Sequence, residues 1–290
     1  MTNLFAFCRQ ANQPVIKRVS VTGPVQAKIG GIFQGQEAAF LEGVSEEVDF
    51  GGDWKPDDDE ILVIDAPDEA QLLAAAVSGN AMSYPAIDAN NFLSEAIKAL
   101  FISVEDGANH RILIQKFSAQ QILNNTKFCL MLDGNTFKEL TEKAFSLDNH
   151  ITAIIDGNRL KFKSFFMVKR IFQLNNLYIA ATDDELDTFC THDSLQVTSA
   201  DAFKALADEN VRKMVHAITR TNVLHNCSVD EISEKATALG LDISVEGGKI
   251  VIPSEKKRIK ELLRFLDDGI FEAPLTSRKY IANSKRPFGV

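Results

Sequence analysis

The chain has 290 residues, with 31 Lys and Arg against 40 Asp and Glu (net charge −9), 45% hydrophobic and 24% charged residues. This is the composition of a globular protein with room for two ordinary domains; it excludes a disordered tail and indiscriminate nucleic-acid binding by the whole surface. No apolar run reaches the ~20 residues that a membrane-spanning helix needs, and the start, Met1-Thr2-Asn3-Leu4-Phe5, lacks a secretory-leader pattern. Cys8, Cys129, Cys190 and Cys227 are scattered without a Cys-x-x-Cys pair, which reads as reduced thiols in a cytoplasmic protein.

Residues 1 to about 65 read as β-rich, with Val15–Val21 and Val25–Phe33 as short apolar runs joined at Thr22-Gly23-Pro24. The acidic stretch from Glu46 to Glu60 lacks the ligand spacing of a calcium loop. It is expected to be a solvated acidic loop, or one that keeps nucleic acid off the wrong face or docks on a second copy. Pro67–Ser78 is a predicted helix with acids in its first turn, and Asn91–Leu100 a second. Strands are expected at Phe101–Val104, Arg111–Phe117 and Lys127–Leu132, with a short helical piece at Ser118–Asn124.

The clearest hairpin is Ile151–Ile155 and Leu160–Lys163 around Asp156-Gly157-Asn158. Its second strand puts Arg159, Lys161 and Lys163 on one face and Leu160 and Phe162 on the other. Lys169 and Arg170 follow on a helix that starts near Ser164, with no acid between Arg159 and Arg170. Such a strand is either a solvent face blunted by cations or a binding face.

From Asp183 the chain is mostly helical. Ser228-Val229-Asp230-Glu231 is a capping box for a helix that Gly240 ends, followed by a hairpin around Glu246-Gly247-Gly248. That order also fits a winged helix locally. Ser254 is expected to cap a last helix with Ile259, Leu262, Leu263 and Leu266 inside and Lys256, Lys257 and Arg258 in its first turn. Cations there suit a phosphate at the helix start, or are exposed placements of no consequence.

The ending is unlike the rest. From Lys249 to Val290, ten Lys and Arg stand against five Asp and Glu, whereas the preceding 248 residues hold 21 and 35. That asymmetry suggests a surface for an anionic partner. The sequence lacks a phosphate-loop, His-Glu-x-x-His or Gly-x-Ser-x-Gly motif, and Cys190-Thr191-His192 and His225-Asn226-Cys227 lack zinc-finger partners. The one catalytic candidate is nuclease-like: Asp242 with Glu255, Lys256 and Lys257 resembles an Asp…Glu-x-Lys metal site.

Leu147-Asp148-Asn149-His150-Ile151-Thr152-Ala153-Ile154-Ile155-Asp156-Gly157, Phe165–Phe172, Ile250-Val251-Ile252-Pro253, Phe265-Leu266-Asp267-Asp268, Tyr280 and Ser284-Lys285-Arg286-Pro287 together resemble the KwaB-like family of the bacterial Kiwa anti-phage system. The resemblance covers the C-terminal half. It implies a non-enzymatic, cytoplasmic DNA-binding effector, a homodimer, working at the inner face of the membrane with the small membrane protein KwaA to stop phage replication or late expression. No cofactor is implied.

The expected fold is α+β, with a β-rich N-terminal half (residues 1–125) and a hairpin-and-helix C-terminal half (126–290). The expected contacts to double-stranded DNA, of low sequence specificity, are Arg159, Lys161, Lys163, Lys169, Arg170, Lys256, Lys257, Lys260, Arg278, Lys279, Lys285 and Arg286. The Ser284–Pro287 ending has a second reading as a structural clasp. The rival functions are a metal-dependent nuclease and a protein-interaction adaptor.

Overall fold

The computed structural model describes residues 3–51, 55–88, 92–106, 109–123, 128–141, 144–174, 180–282 and 285. It is α+β, and it divides into two units, with residues 55–174 joining the first 51 in one and residues 175–290 forming most of the other. The first unit runs past residue 125. The reason is that a strand pair beyond that point is built into its sheet.

In chain order the first unit holds β1 (Phe5–Gln10), β2 (Gln13–Arg18), α1 (Gly23–Leu41), β3 (Glu46–Asp49), β4 (Glu60–Asp65), α2 (Asp68–Ser78), β5 (Ile97–Asp106), β6 (Asn109–Lys116), β7 (Ile122–Leu123), β8 (Leu130–Asp133), β9 (Thr136–Glu139), β10 (Ala144–Phe145), β11 (Ala153–Asp156), β12 (Arg159–Phe162) and α3 (Phe165–Val168). Eight strands form one sheet in the order β2-β1-β5-β6-β11-β12-β4-β3. Only the edge pair β3–β4 is parallel. Alternation along β1 shows both faces at work. Ala6 and Cys8 join a core with Ile29 and Phe33 of α1 and with Leu100, Ile102 and Leu113. Phe5 and Phe7 are buried on the other face, where Phe5 stacks on Phe101 at 5.4 Å and Phe7 meets Phe172 at 5.7 Å.

Two expectations in this unit are corrected. The run Val25–Phe33 is part of α1, not a strand: Ile29, Phe33 and Glu37 fall four apart and are the buried stripe, while Val25 and Ile32 are exposed. Thr22-Gly23-Pro24 is the start of that helix, with proline in its first turn where the missing N–H costs nothing. Likewise, the helix expected at Asn91–Leu100 is a short 3-10 turn, Phe92–Glu95, followed by β5. A strand buried on both faces shows a continuous apolar run that periodicity alone cannot tell from a buried helix.

The β8–β9 hairpin stands apart from the large sheet. Every residue of both strands is exposed. Its register puts Leu132 opposite Phe137, with Leu130 on the same face.

The second unit holds α4 (Asp183–Cys190), β13 (Leu195–Gln196), α5 (Ala200–Leu206), α6 (Glu209–Thr221), α7 (Val223–Asn226), α8 (Val229–Leu239), β14 (Val245–Glu246), β15 (Lys249–Val251), α9 (Lys256–Leu266), β16 (Ile270–Glu272) and β17 (Lys279–Ile281). Capping chemistry sets its helix ends. Ser228 and Glu231 form the reciprocal box at the start of α8, and Gly240 closes it at φ +74°. The α9 stripe Ile259, Leu262, Leu263 and Leu266 enters a core with Val211, Val215, Ile218 and Ile250. The residue before α9 is Glu255, with no side-chain cap, so the expected Ser254 cap is not formed.

Candidate nucleic-acid interface

The strand cations fall where the alternation predicts: along β12, Arg159 is exposed and Lys161 half-buried, while Leu160 and Phe162 are fully buried. Counter-charge comes from elsewhere in the chain. β12 pairs with β4, and β4 pairs with the acidic edge strand β3. Across that edge Arg159 Nη2 meets Asp49 Oδ1 at 2.6 Å, and Lys161 Nζ meets Glu47 Oε1 at 2.6 Å and Asp156 Oδ2 at 2.9 Å. Burial works against the Lys161 ammonium, but its two carboxylates outweigh that and raise its pKa. The stretch read as an acidic loop thus begins with a strand that neutralises two of the expected contacts.

The next cations are held differently. Lys163 Nζ lies 5.5 Å from the ring centre of Phe40 on α1. Phe166 of α3 is 53% exposed. Lys169 Nζ lies 5.6 Å from its ring, and the Arg170 guanidinium 4.1 Å. These are cation–π distances, and helical spacing of three and four residues produces the Phe166 pairings. Neither Lys163 nor Arg170 has a carboxylate partner among the described residues.

In the second unit most of the expected contacts brace the fold. Lys260 and Lys256 both reach Asp208 Oδ2, at 2.7 and 3.1 Å. Asp208 is the N-cap of α6, and the Lys260 ammonium, with the Val211 N–H and Lys256, holds its carboxyl far below the usual range. Lys279 Nζ donates to the Ala238 carbonyl at 3.1 Å, near the end of α8. Lys285 Nζ meets Asp267 Oδ2 at 2.7 Å and donates to the same residue's carbonyl, where α9 ends. Both placements suit a cation at a helix C-terminus. The ending is a clasp at Lys285, while Arg286 lies outside the described residues. Lys257 and Arg278 are exposed, with no side-chain partner among the described residues.

Two further arrangements bear on the rival chemistries. Asp242 precedes β14 and is exposed, as is Glu255, and no group of three or more potential metal ligands occurs among the described residues. The helix before the hairpin, α8, exposes Asp230, Glu231 and Glu234 with Lys235, so its outward face is acidic, and β13 joins the hairpin in parallel.

The two short motifs that lack zinc-finger partners, Cys190-Thr191-His192 and His225-Asn226-Cys227, do meet. His192 Nε2 and His225 Nε2 are 3.3 Å apart. The Ser194 N–H donates to His192 Nδ1, which leaves the His192 proton on Nε2 for a hydrogen bond to His225. Burial, then the neighbouring His225, lowers the His192 pKa. Cys8 and Cys190 are buried and unpaired, and burial pushes Cys8 up to about 12, so that thiol is inert at neutral pH.

Sequence reasoning missed Lys98 and Lys116. They line a cleft of about 510 Å³ with Arg170, Phe92 and Phe117. A signal was present: the β5–β6 turn fixes a register that sets Ala99 opposite Lys116, which brings Lys98 beside Phe117.

No helix among the described residues is long and apolar enough to cross a membrane. A family described as Kiwa protein KwaB-like matches residues 94–276. Neither a curated protein nor a solved structure matches the chain. The matched span takes in β5 to β12, α3 and most of the second unit, and leaves the Ser284–Pro287 ending outside it. It covers well over half of the sequence, and on that ground the chain belongs to the KwaB-like family of the Kiwa system.

Proposed function

We propose that this component of Kiwa anti-phage defence acts by binding double-stranded DNA through phosphate contacts of low sequence specificity, so blocking phage replication or late expression. The observation that carries the reading is the pairing of Lys163 and Arg170 with aromatic rings instead of carboxylates in a protein of net charge −9. Cations held on rings stay charged, oriented and open to a phosphate. Lys169 lies against the same ring as Arg170 in the first unit, and Lys257 and Arg278 are the open cations of the second. Arg159, Lys161, Lys256, Lys260, Lys279 and Lys285 act mainly within the fold. In this reading the protein is a non-enzymatic homodimer that works with KwaA at the inner face of the membrane.

The test is a salt series of duplex binding by the purified protein, with and without Mg²⁺. Steep weakening with salt, intact DNA and equal affinity for unrelated sequences support the reading. Absence of binding at low salt overturns it, and cleavage that needs Mg²⁺ revives the nuclease.

A protein-interaction role is the second reading, and the β8–β9 hairpin favours it. Phe128, Leu130, Leu132 and Phe137 are all exposed, and two-stranded hairpins are marginal without a packing partner. Loss of complex with a membrane-protein partner on Leu132→Ser and Phe137→Ser, with DNA affinity unchanged, would favour that role.

A further inference from the structure

Four half-buried cations of the first unit pair with acids: Arg9 with Glu69, Lys17 with Glu95, Arg111 with Glu37 and Lys161 with Glu47. Lys98 and Lys116 do not. Lys98 has no side-chain partner among the described residues, and Lys116 reaches only the Met167 sulfur at 3.8 Å. Both line the cleft that Arg170 also borders. No carboxylate among the described residues lines it, and its apolar wall is Phe92, Phe117 and Ile122.

Partly desolvating a cation without a counter-charge is unfavourable unless an anion arrives. Three cations beside an aromatic wall, in a space of about 510 Å³, match a ligand with a phosphate at one end and a flat ring at the other. Phe92 and Phe117 are already ordered against Phe145, at 5.2 and 5.8 Å between ring centres, so the wall is preformed. We propose that this cleft binds a phosphorylated nucleoside, with the phosphate against Lys98, Lys116 and Arg170 and the base against the Phe92 and Phe117 side. The ligand is a free nucleotide or the phosphorylated end of a nucleic-acid strand, since the two present the same chemistry. The proposal shares only Arg170 with the DNA reading, so its test leaves that residue alone.

The test titrates mant-labelled ATP into the full-length protein at low salt, with unlabelled AMP and 5′-phosphorylated or 5′-hydroxyl oligonucleotides as competitors. Saturable binding is expected, about ten-fold weaker in Lys98→Gln with Lys116→Gln, while duplex affinity changes little. Competition by AMP identifies a free nucleotide; competition by the phosphorylated oligonucleotide alone identifies a strand end. Failure of both to bind overturns the proposal, whatever duplex DNA does, and so does full affinity in the double variant. Should that variant melt early, lysine acetylation of the unaltered protein reads the same contact. The nucleotide is then expected to protect Lys98 and Lys116 but not Lys257, and equal labelling overturns the proposal.

Discussion

β12 and the segment from Lys163 to Arg170 are consecutive in the chain and similarly basic, yet their charges meet different fates. On β12 the cations lie two strands from an acidic edge, and Glu47 and Asp49 take them up. Past the strand end no acid meets Lys163 or Arg170 among the described residues, and rings support them instead. A run of positive charge is therefore no measure of a binding surface. What counts is which strand the sheet places alongside, and that strand lies more than a hundred residues away.

The largest effect that sharpens this contrast concerns the hidden face of β12. Phe162→Ala opens a cavity beneath the cations beside Phe50, and a stability loss of about 3–5 kcal/mol is expected in denaturant unfolding. A loss below about 1 kcal/mol would mean that Phe162 is not packed beneath the cations as described. Lys169→Ala with Arg170→Ala should keep stability but weaken duplex binding about ten-fold or more and reduce the salt slope by about two. An unchanged slope would place the DNA contacts elsewhere. Glu47→Gln with Asp49→Asn should release Arg159, leave Lys161 held by Asp156 alone and raise affinity a few-fold. Unchanged affinity would show that β12 does not face nucleic acid even when its acidic edge is neutralised. Arg159→Ala, an exposed pair partner, should move stability by less than about 1 kcal/mol.

The smallest effects are pH-dependent and fall in the second unit. Asp208 has a lowered carboxyl pKa when folded, so its contribution is complete above the ordinary value of 3.8 and disappears as pH falls through the folded value. Asp208→Asn should flatten the acid limb of the stability curve below about pH 4. The His192 pKa is lowered too, so its share is complete above the ordinary value of 6.5 and declines below it. His192→Gln should remove that part of the slope, and urea midpoints across the pH range read both.

What was legible in the sequence was what neighbours along the chain decide. The β11–β12 hairpin announced itself through Asp156-Gly157-Asn158, where Gly157 takes φ +58°. The capping box and terminal glycine of α8, and the inner stripe of α9, likewise rest on spacings of three and four residues. What distant segments decide was not legible. Val25–Phe33 has the residues of a strand, and only packing against the sheet shows that Ile29 and Phe33 are one helical stripe. The Asp208 clamp on Lys256 and Lys260, the meeting of His192 with His225, and the Lys98–Lys116 cleft each join side chains that no local pattern links.

The strand order also has a consequence for synthesis. β4 has β3 beside it from the start, but its other edge pairs with β12, Asp65 opposite Arg159 and Leu62 opposite Phe162, so that edge waits for a partner that emerges almost a hundred residues later. At translation rates of about 5–20 residues per second, the wait is on the order of 5–20 s. During it, one edge of Ile61-Leu62-Val63-Ile64, all buried in the finished sheet, remains open on the ribosome. The nascent chain is therefore expected to expose this edge to chaperones during synthesis, and its yield to fall when chaperone capacity is reduced.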